Sequence, residues 1–172
     1  MSQFACAVTG ANGFVGRAVC RHFEAAGWRV VKLVRSPDGE GGEARRFALD
    51  EDAPLAALSG IDTVVHAAYD FSLRSWADIR RINVRGSERL FDAASRGGVR
   101  RQIFVSSMAA YEGCRSMYGR GKLAAEEAAC ARGGLVVRPG VIYITGCGFL
   151  KAVKFGCKPP WSWIFCRRQR IG

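Results

Sequence analysis

The chain has 172 residues, 49% of them hydrophobic and 21 of them glycine, a size and composition that suit one compact α/β domain and exclude a disordered protein. Its formal net charge is +11, and residues 128–172 hold eight basic residues and no acidic ones. No basic start precedes an apolar segment and the longest uncharged apolar stretch, residues 139–150, is too short to cross a bilayer, so neither a signal peptide nor a membrane span is expected.

The first predicted elements are a strand and a glycine-rich turn. An apolar run at residues 4–8 leads into Thr-Gly-Ala-Asn-Gly-Phe-Val-Gly at 9–16. In such a turn Gly10 permits a sharp bend, Gly13 lets a diphosphate approach the backbone, and Gly16 lets the next helix pack against the strand. The N–H groups that open that helix attract anions. The turn predicts a dinucleotide site, although a tight turn without a ligand fits the same glycines.

A helix and a second strand follow the turn, as a dinucleotide-binding unit requires. Apolar residues recur at helical spacing from Val15 to Ala26, Gly27 ends the helix, and residues 28–34 form an apolar strand. Arg35 stands at the end of this strand, where an acidic residue would bind the ribose of NAD. Because a guanidinium suits a 2′-phosphate, we prefer NADP to NAD, with a solvated arginine as the plainer alternative.

Strands and helices continue to alternate through the rest of the chain. We predict strands at 46–49, 61–67, 101–107 and 135–138, a brief helix or turn at 52–58, and long helices at 75–96 and 117–131. This alternation predicts a doubly wound parallel sheet between two helical layers, a three-layer Rossmann fold. Ligands bind beyond the carboxyl ends of such strands, where the sequence places the glycine turn, Arg35, His66-Ala67-Ala68, Ser106-Ser107 and Arg138-Pro139-Gly140.

Tyr118 and Lys122 form a second motif with chemical meaning. A spacing of four residues on a helix places both side chains on one face. A neighbouring ammonium favours the phenolate and lowers the pKa of a phenol, ordinarily ~10. Tyr118 could then exchange a proton with a carbinol or carbonyl oxygen, and Ser107 could hydrogen-bond the same oxygen. Taken alone, the pair also fits an ordinary surface contact.

Six segments of the chain carry a family resemblance when they are taken together: TGANGFVG (9–16), VVHAAY (64–69), INVRGS (82–87), FVSSMAAY (104–111), YGRGK (118–122) and RPGVIY (138–143). In this order they resemble the extended short-chain dehydrogenase/reductases, of the NAD-dependent epimerase/dehydratase kind, over about residues 4–146. The resemblance implies an NAD(P)-dependent oxidoreductase or epimerase that acts on a hydroxyl or carbonyl carbon.

The resemblance also implies roles for individual residues. Ser107, Tyr118 and Lys122 would be catalytic, and Lys122 would also hold the nicotinamide ribose. Asn83 matches an asparagine that supports the site, and His66 either packs structurally or contacts the cofactor. Besides Arg35 and Lys122, the implied cofactor-binding residues are Gly10, Asn12, Gly13, Phe14, Val15, Gly16, Asp50, Ala67 and Ala68.

The end of the chain departs from the family pattern. Family members continue past the RPG segment into a smaller substrate domain, whereas 24 residues follow Gly148 here. We therefore expect an NAD(P)-binding domain at 1–146 and, at 147–172, the basic stub of a truncated and mostly missing substrate domain. Gly121 is a further departure, because glycine weakens the interior of a helix.

Three interpretations of function remain open. The first is an enzyme with a small-molecule substrate, which the basic C-terminal quarter suggests is phosphorylated, such as a nucleotide-sugar; the family also suggests a homodimer. The second is an NADP-binding module without turnover. The third, a nucleic-acid binder, is disfavoured because no DNA- or RNA-binding motif is present. Seven cysteines without a Cys-x-x-Cys pair favour free thiols, a cytoplasmic location and no metal site.

Overall fold

The fold is built on one sheet of six parallel strands. The computed structural model describes residues 4–38 and 41–142. The strands lie in the order β3-β2-β1-β4-β5-β6. Their bounds are β1 Ala5–Thr9, β2 Arg29–Val34, β3 Glu43–Arg46, β4 Thr63–His66, β5 Arg101–Val105 and β6 Leu135–Val137. The predicted doubly wound parallel sheet is confirmed; the predicted stub at 147–172 lies outside the described residues.

Helices cover both faces of this sheet. Their bounds are α1 Phe14–Ala25, α2 Trp76–Ile79, α3 Arg85–Arg96 and α4 Met117–Ala131, with a 3₁₀ turn at Leu55–Leu58 and a π-helical segment at Arg80–Val84. On one face Cys20 of α1 packs with Val8 and Val65. On the other, Leu90 of α3 packs with Val31 and Val64. The sheet is thus the middle of three layers, as predicted. No described helix has the length and apolar character needed to span a bilayer.

The prediction of a third strand at 46–49 is wrong, because the strand occupies Glu43–Arg46. It pairs in parallel with β2, from Val31 opposite Glu43 to Val34 opposite Arg46. This edge strand is polar. Glu43 joins it to β2 by an ion pair at 3.0 Å with Arg29, and it also pairs at 2.7 Å with Arg45 of the same strand. The apolar character of residues 47–49 has another cause: Phe47 and Ala48 are buried, and Leu49 packs against the core.

The helix predicted over 75–96 forms in three pieces. The Ser75 side chain caps α2 by accepting from the Asp78 N–H at 3.0 Å. The π-helical segment follows, and its Asn83 and Val84 are both buried. Simple helical periodicity cannot predict such a segment, because it assumes a constant 3.6 residues per turn.

Candidate active site

A cleft of about 940 Å³ lies beyond the carboxyl ends of the strands, at the switch point between the neighbouring strands β1 and β4, from which the strand order runs outward in both directions. Open parallel sheets bind ligands at this position. Every site residue predicted from the sequence lines this one cleft: Gly10, Asn12, Gly13, Phe14, Val15, Gly16, Arg35, Asp50, Ala67, Ala68, Ser107, Tyr118 and Lys122. The cleft therefore brings the dinucleotide and catalytic motifs together, while the role of each residue stays a prediction.

The glycine turn is shaped by close backbone contacts. Gly10 has a φ of +65°, and its carbonyl oxygen accepts from the Gly13 N–H at 2.9 Å. A Cβ on Gly16 would lie 2.0 Å from that oxygen, and one on Gly10 would lie 2.9 Å from the Ala68 backbone. The turn is thus pressed between α1 and the end of β4, and side chains at 10 and 16 are excluded.

The start of α1 suits a bound diphosphate. Gly13 occupies the N-cap position in an extended conformation and has no side chain with which to cap the helix. The first turn holds no acidic residue. Asn12, Gly13, Phe14 and Val15 all line the cleft. The first turn of α1 and the positive end of its dipole therefore face the cleft, the arrangement that favours an anion.

A buried hydrogen-bond chain holds the floor of the cleft in place. The Thr9 Oγ1 accepts from the Ala67 and Ala68 N–H groups at 3.1 Å and lies 2.6 Å from His66 Nδ1. His66 Nε2 lies 2.8 Å from the Ser87 Oγ, which donates to the Asn83 carbonyl at 2.7 Å. Because that bond uses the single hydroxyl proton of Ser87, His66 must donate from Nε2 and accept at Nδ1.

His66 is therefore a structural residue rather than a cofactor contact. It is fully buried and does not line the cleft. Burial, together with a smaller effect of the nearby Lys122 charge, lowers its pKa from 6.5 to about 3. The ring is neutral, which agrees with the one-donor, one-acceptor state that its two hydrogen bonds require.

Asn83 supports the other side of the same floor. Its side-chain Oδ1 accepts from the Asp70 N–H at 2.7 Å, and its Nδ2 donates to the Asp70 carbonyl at 3.1 Å. Both backbone groups of Asp70 are thereby fixed by one amide. The supporting role that the resemblance implied for Asn83 thus has a geometric basis, and the π-helical segment provides the position from which Asn83 reaches this loop.

Arg35 and Asp50 line the cleft just after β2 and β3 end. Both are exposed, and Arg46 Nη1 donates to the Arg35 carbonyl at 2.6 Å, which fixes the backbone there. Within the described residues the Arg35 guanidinium has no ion-pair partner at salt-bridge distance. Its charge contributes to lowering the pKa of Asp70, after hydrogen bonds from Ser72.

At the opposite end, α4 presents Tyr118 and Lys122 to the cleft. Ser116 caps this helix by accepting from the Gly119 N–H at 3.0 Å. The Lys122 ammonium is 4% exposed, donates to the Val105 carbonyl at 2.8 Å, and lies 5.1 Å from the centre of the Tyr69 ring. Burial lowers the Lys122 pKa from 10.5 to about 8, against the opposing effect of Glu126. Ser107 accepts from the Ala109 N–H at 3.1 Å.

Sequence reasoning missed a buried ion pair behind this end of the cleft. Arg138 donates to both Glu126 oxygens, from Nε at 2.8 Å and from Nη2 at 2.5 Å, and the Ser106 hydroxyl donates to the same carboxylate. The pair joins α4 to the chain that leaves β6. One signal was available, because Glu126 follows Lys122 by four residues and so lies on the same helix face.

The structure also explains why glycine occurs at position 121, inside a helix that glycine would be expected to weaken. A Cβ there would lie 2.9 Å from Ile79 Cγ2 and 3.0 Å from the Tyr69 oxygen. Gly119 is similarly constrained, since its Cβ would lie 2.2 Å from the Ala109 carbonyl. The two glycines allow α4 to approach α2 and the loop after Ser107 more closely than any other residue would.

Comparison with characterised proteins agrees with this geometry. The chain is 35% identical over 149 residues to a ceramide reductase of Caulobacter vibrioides, a match covering 81% of this chain and 47% of that protein. It is 33% identical over 117 residues to an NAD-dependent glucose-6-phosphate dehydrogenase of Haloferax volcanii, covering 61% and 45%. The chain therefore spans about half the length of these relatives.

Solved structures give the same result. A short-chain dehydrogenase/reductase superfamily protein from Agrobacterium tumefaciens with bound NAD matches with a TM-score of 0.69 and 31% identity, over 78% of this chain and 48% of that one. MoeE5 in complex with UDP-glucose and NAD matches with a TM-score of 0.65 and 31% identity, over 77% and 52%.

The family itself is given by a sequence model that matches residues 6–134, most of the chain. This segment includes the glycine turn, the floor of the cleft and the helix that carries Tyr118 and Lys122. The matched family is described as the NAD dependent epimerase/dehydratase family. This chain belongs to the NAD-dependent epimerase/dehydratase family.

Proposed function

We propose that the chain binds NAD(P) along the cleft and supports hydride transfer to or from a hydroxyl or carbonyl carbon, with Tyr118 moving the hydroxyl proton. The observation that carries the proposal is that one cleft joins an anion-binding helix start to Tyr118, Ser107 and the buried Lys122. When bound, the nicotinamide supplies the hydride chemistry, and the protein supplies binding and orientation.

The residues present fit this cofactor. The diphosphate would lie against the amides of Phe14 and Val15, beside Gly13, which has no side chain to obstruct it. Ala67 and Ala68 are small and are held by Thr9, so they would flank the cofactor without obstructing it. Arg35, exposed at the far end, supports NADP over NAD because a guanidinium pairs well with a phosphate.

The catalytic end supplies a proton and a charge. Tyr118 would exchange the proton with the substrate oxygen, and Ser107 would hydrogen-bond that oxygen. Lys122 would place its charge beside the phenol and hold the nicotinamide ribose. Its pKa of about 8 means that the ammonium is mostly charged at neutral pH despite its burial.

The substrate is proposed only as a small hydroxyl or carbonyl compound. One solved neighbour holds UDP-glucose, which supports a nucleotide-sugar, while the relatives also include a ceramide reductase. A homodimer, the two-domain division and the absence of a nucleic-acid partner stay predictions. A cytoplasmic location is supported by the buried free thiols of Cys6, Cys20 and Cys114.

The test compares cofactor binding with turnover in the chain and in Tyr118→Phe. We expect saturable NADPH or NADH binding in both proteins, with dissociation constants within about twofold, because the phenol oxygen is the one atom removed. Hydride transfer to a panel of carbonyl compounds, followed by nicotinamide absorbance, should fall about 100-fold or more in the variant. Circular dichroism of both proteins controls for folding.

The outcomes separate the alternatives. Equal turnover in the two proteins would remove Tyr118 from the chemistry. Saturable binding with no hydride transfer to any compound would instead favour the NADP-binding module. Absence of binding in a folded chain would refute both.

A further inference from the structure

Three aromatic rings meet at the catalytic end of the cleft. The Phe71 ring stacks on the Tyr118 ring, with centroids 5.6 Å apart and planes 25° apart. Tyr69 meets Tyr118 edge-on at 5.1 Å and contacts Phe71 at 4.9 Å. All three residues line the cleft, and Phe71 is 68% exposed. We call Tyr69, Phe71 and Tyr118 the aromatic wall.

The aromatic wall is held from behind. Tyr69 is wedged against α4, where Gly121 leaves room for its oxygen, and the Lys122 ammonium lies over its ring. The residue between Tyr69 and Phe71 is Asp70, whose two backbone groups are bound by the Asn83 side chain. Phe71 therefore stands exposed beside the phenol on a fixed backbone, not at the tip of a free loop.

The charges around the aromatic wall disfavour an anionic ligand. The neighbouring Asp70 is a carboxylate whose pKa is lowered by hydrogen bonds from Ser72. The described basic residues that line the cleft are Arg35 and Lys122. Arg35, at the end of β2, acts on the neighbouring carboxylate of Asp70, and Lys122 is buried and already donates to the Val105 carbonyl. Besides Ser106 and Ser107, the lining includes the apolar residues Ile82, Val105, Pro139 and Ile142.

We infer that the aromatic wall receives an apolar group of the substrate, so that the substrate class is a ketone or secondary alcohol with an aryl or alkyl substituent. Phe71 is the specificity-determining residue. An exposed phenylalanine that lines a cleft next to the reacting phenol gains free energy when an apolar group covers it. This inference rests on the proposed function for the position of the reacting oxygen.

The test measures binding of a phenyl ketone, 4-phenylbutan-2-one, to the full chain by saturation-transfer NMR with oxidised cofactor present. Phe71→Ala should raise its dissociation constant about tenfold, which corresponds to about 1.4 kcal/mol, the size of one good aromatic contact. Phe71→Leu should keep most of the affinity because it retains an apolar side chain. Phe4→Ala is the matched control, because Phe4 is also exposed but precedes β1 at its amino end.

A second arm uses UDP-glucose as the competitor. We expect it not to displace the ketone at equal concentration. Displacement by UDP-glucose, no ketone binding, or equal affinity in Phe71→Ala and the unaltered chain would each overturn the inference.

The arms distinguish this inference from the proposed function. Phe71-dependent ketone binding without hydride transfer would retain the apolar subsite and refute the proposed chemistry. Hydride transfer to a sugar nucleotide alone, at a rate that Phe71→Ala does not change, would support the proposed chemistry and refute the apolar subsite.

Discussion

The two ends of the cleft are built in different ways. The glycine end, formed by residues 10–16 with Ala67 and Ala68, takes its shape from backbone atoms so close that no side chain fits between them. The catalytic end, formed by the aromatic wall with Ser107 and Lys122, takes its shape from side chains held by burial and stacking. Substitutions at the glycine end should therefore reduce stability and cofactor binding together. Substitutions at the catalytic end should have separate effects on stability and on turnover.

The largest effect is expected at the glycine end. Gly16→Ala places a Cβ about 2.0 Å from the Gly10 carbonyl oxygen, and both atoms belong to the backbone of a packed turn. The free energy of unfolding, measured by urea titration, should fall by about 3 kcal/mol, with loss of cofactor binding. Gly41→Ala is the control, because its Cβ meets nothing within 4 Å. A Gly16→Ala protein as stable as the Gly41→Ala protein would show that the turn is not tightly packed.

At the catalytic end, Lys122 should impose a pH dependence on stability. The folded protein releases the Lys122 proton near pH 8, whereas the unfolded chain keeps it up to about 10.5. Between these values the unfolded state binds more protons, so stability rises with pH, by at most about 1.4 kcal/mol per unit from this residue. Lys122→Met should remove that rise in urea titrations from pH 8 to 10.

The control for this experiment is Lys32→Met, on β2 outside the cleft. If Lys122→Met shows the same slope as the unaltered chain, the ammonium is better solvated than its burial indicates. Turnover in Lys122→Met should also be lost, because the proposed mechanism needs the Lys122 charge to favour the Tyr118 phenolate.

His66, which is buried beneath the floor of the cleft, should make the stability of the fold depend on pH under acidic conditions. Its folded pKa of about 3 lies below the unfolded value of 6.5. The unfolded state therefore binds more protons between these values, and the His66 contribution destabilises the fold as the pH decreases through this window. His66→Gln should be less stable at pH 7 by about 1–3 kcal/mol, because the hydrogen-bond chain is broken, yet less sensitive to acid.

His22→Gln is the matched control, since His22 is exposed on α1 and lies outside the hydrogen-bond chain. Thermal melts of the three proteins from pH 4 to 7 make the measurement. Equal acid sensitivity of His66→Gln and the unaltered chain would contradict the neutral, buried ring.

The smallest effect is expected at Arg35, which is exposed. Arg35→Asp should leave stability unchanged and shift the ratio of NADPH to NADH dissociation constants about tenfold towards NADH, as loss of one charge-assisted hydrogen bond implies. Fluorescence titrations with both cofactors give this ratio. An unchanged ratio would show that Arg35 does not bind the 2′-phosphate.

The sequence predicted those features of the fold and the site that depend on short stretches of the chain. The glycine turn and the Tyr118–Lys122 pair were found because each is a short motif, and the parallel sheet was found because its buried strands are continuous apolar runs. The third strand was misplaced because Phe47 and Ala48 are apolar for reasons of core packing. The π-helical segment and the aromatic wall were missed because Asn83, Tyr69 and Phe71 meet their partners through tertiary contacts.

The central claim is that the glycine end binds a dinucleotide whose nicotinamide reaches Tyr118. A crystal structure of the chain soaked with NADP tests it most directly. The account predicts the diphosphate against the amides of Phe14 and Val15 and the nicotinamide ring between Ala68 and Tyr118. A diphosphate bound elsewhere, or a nicotinamide ring on the far side of the sheet from Tyr118, would contradict it.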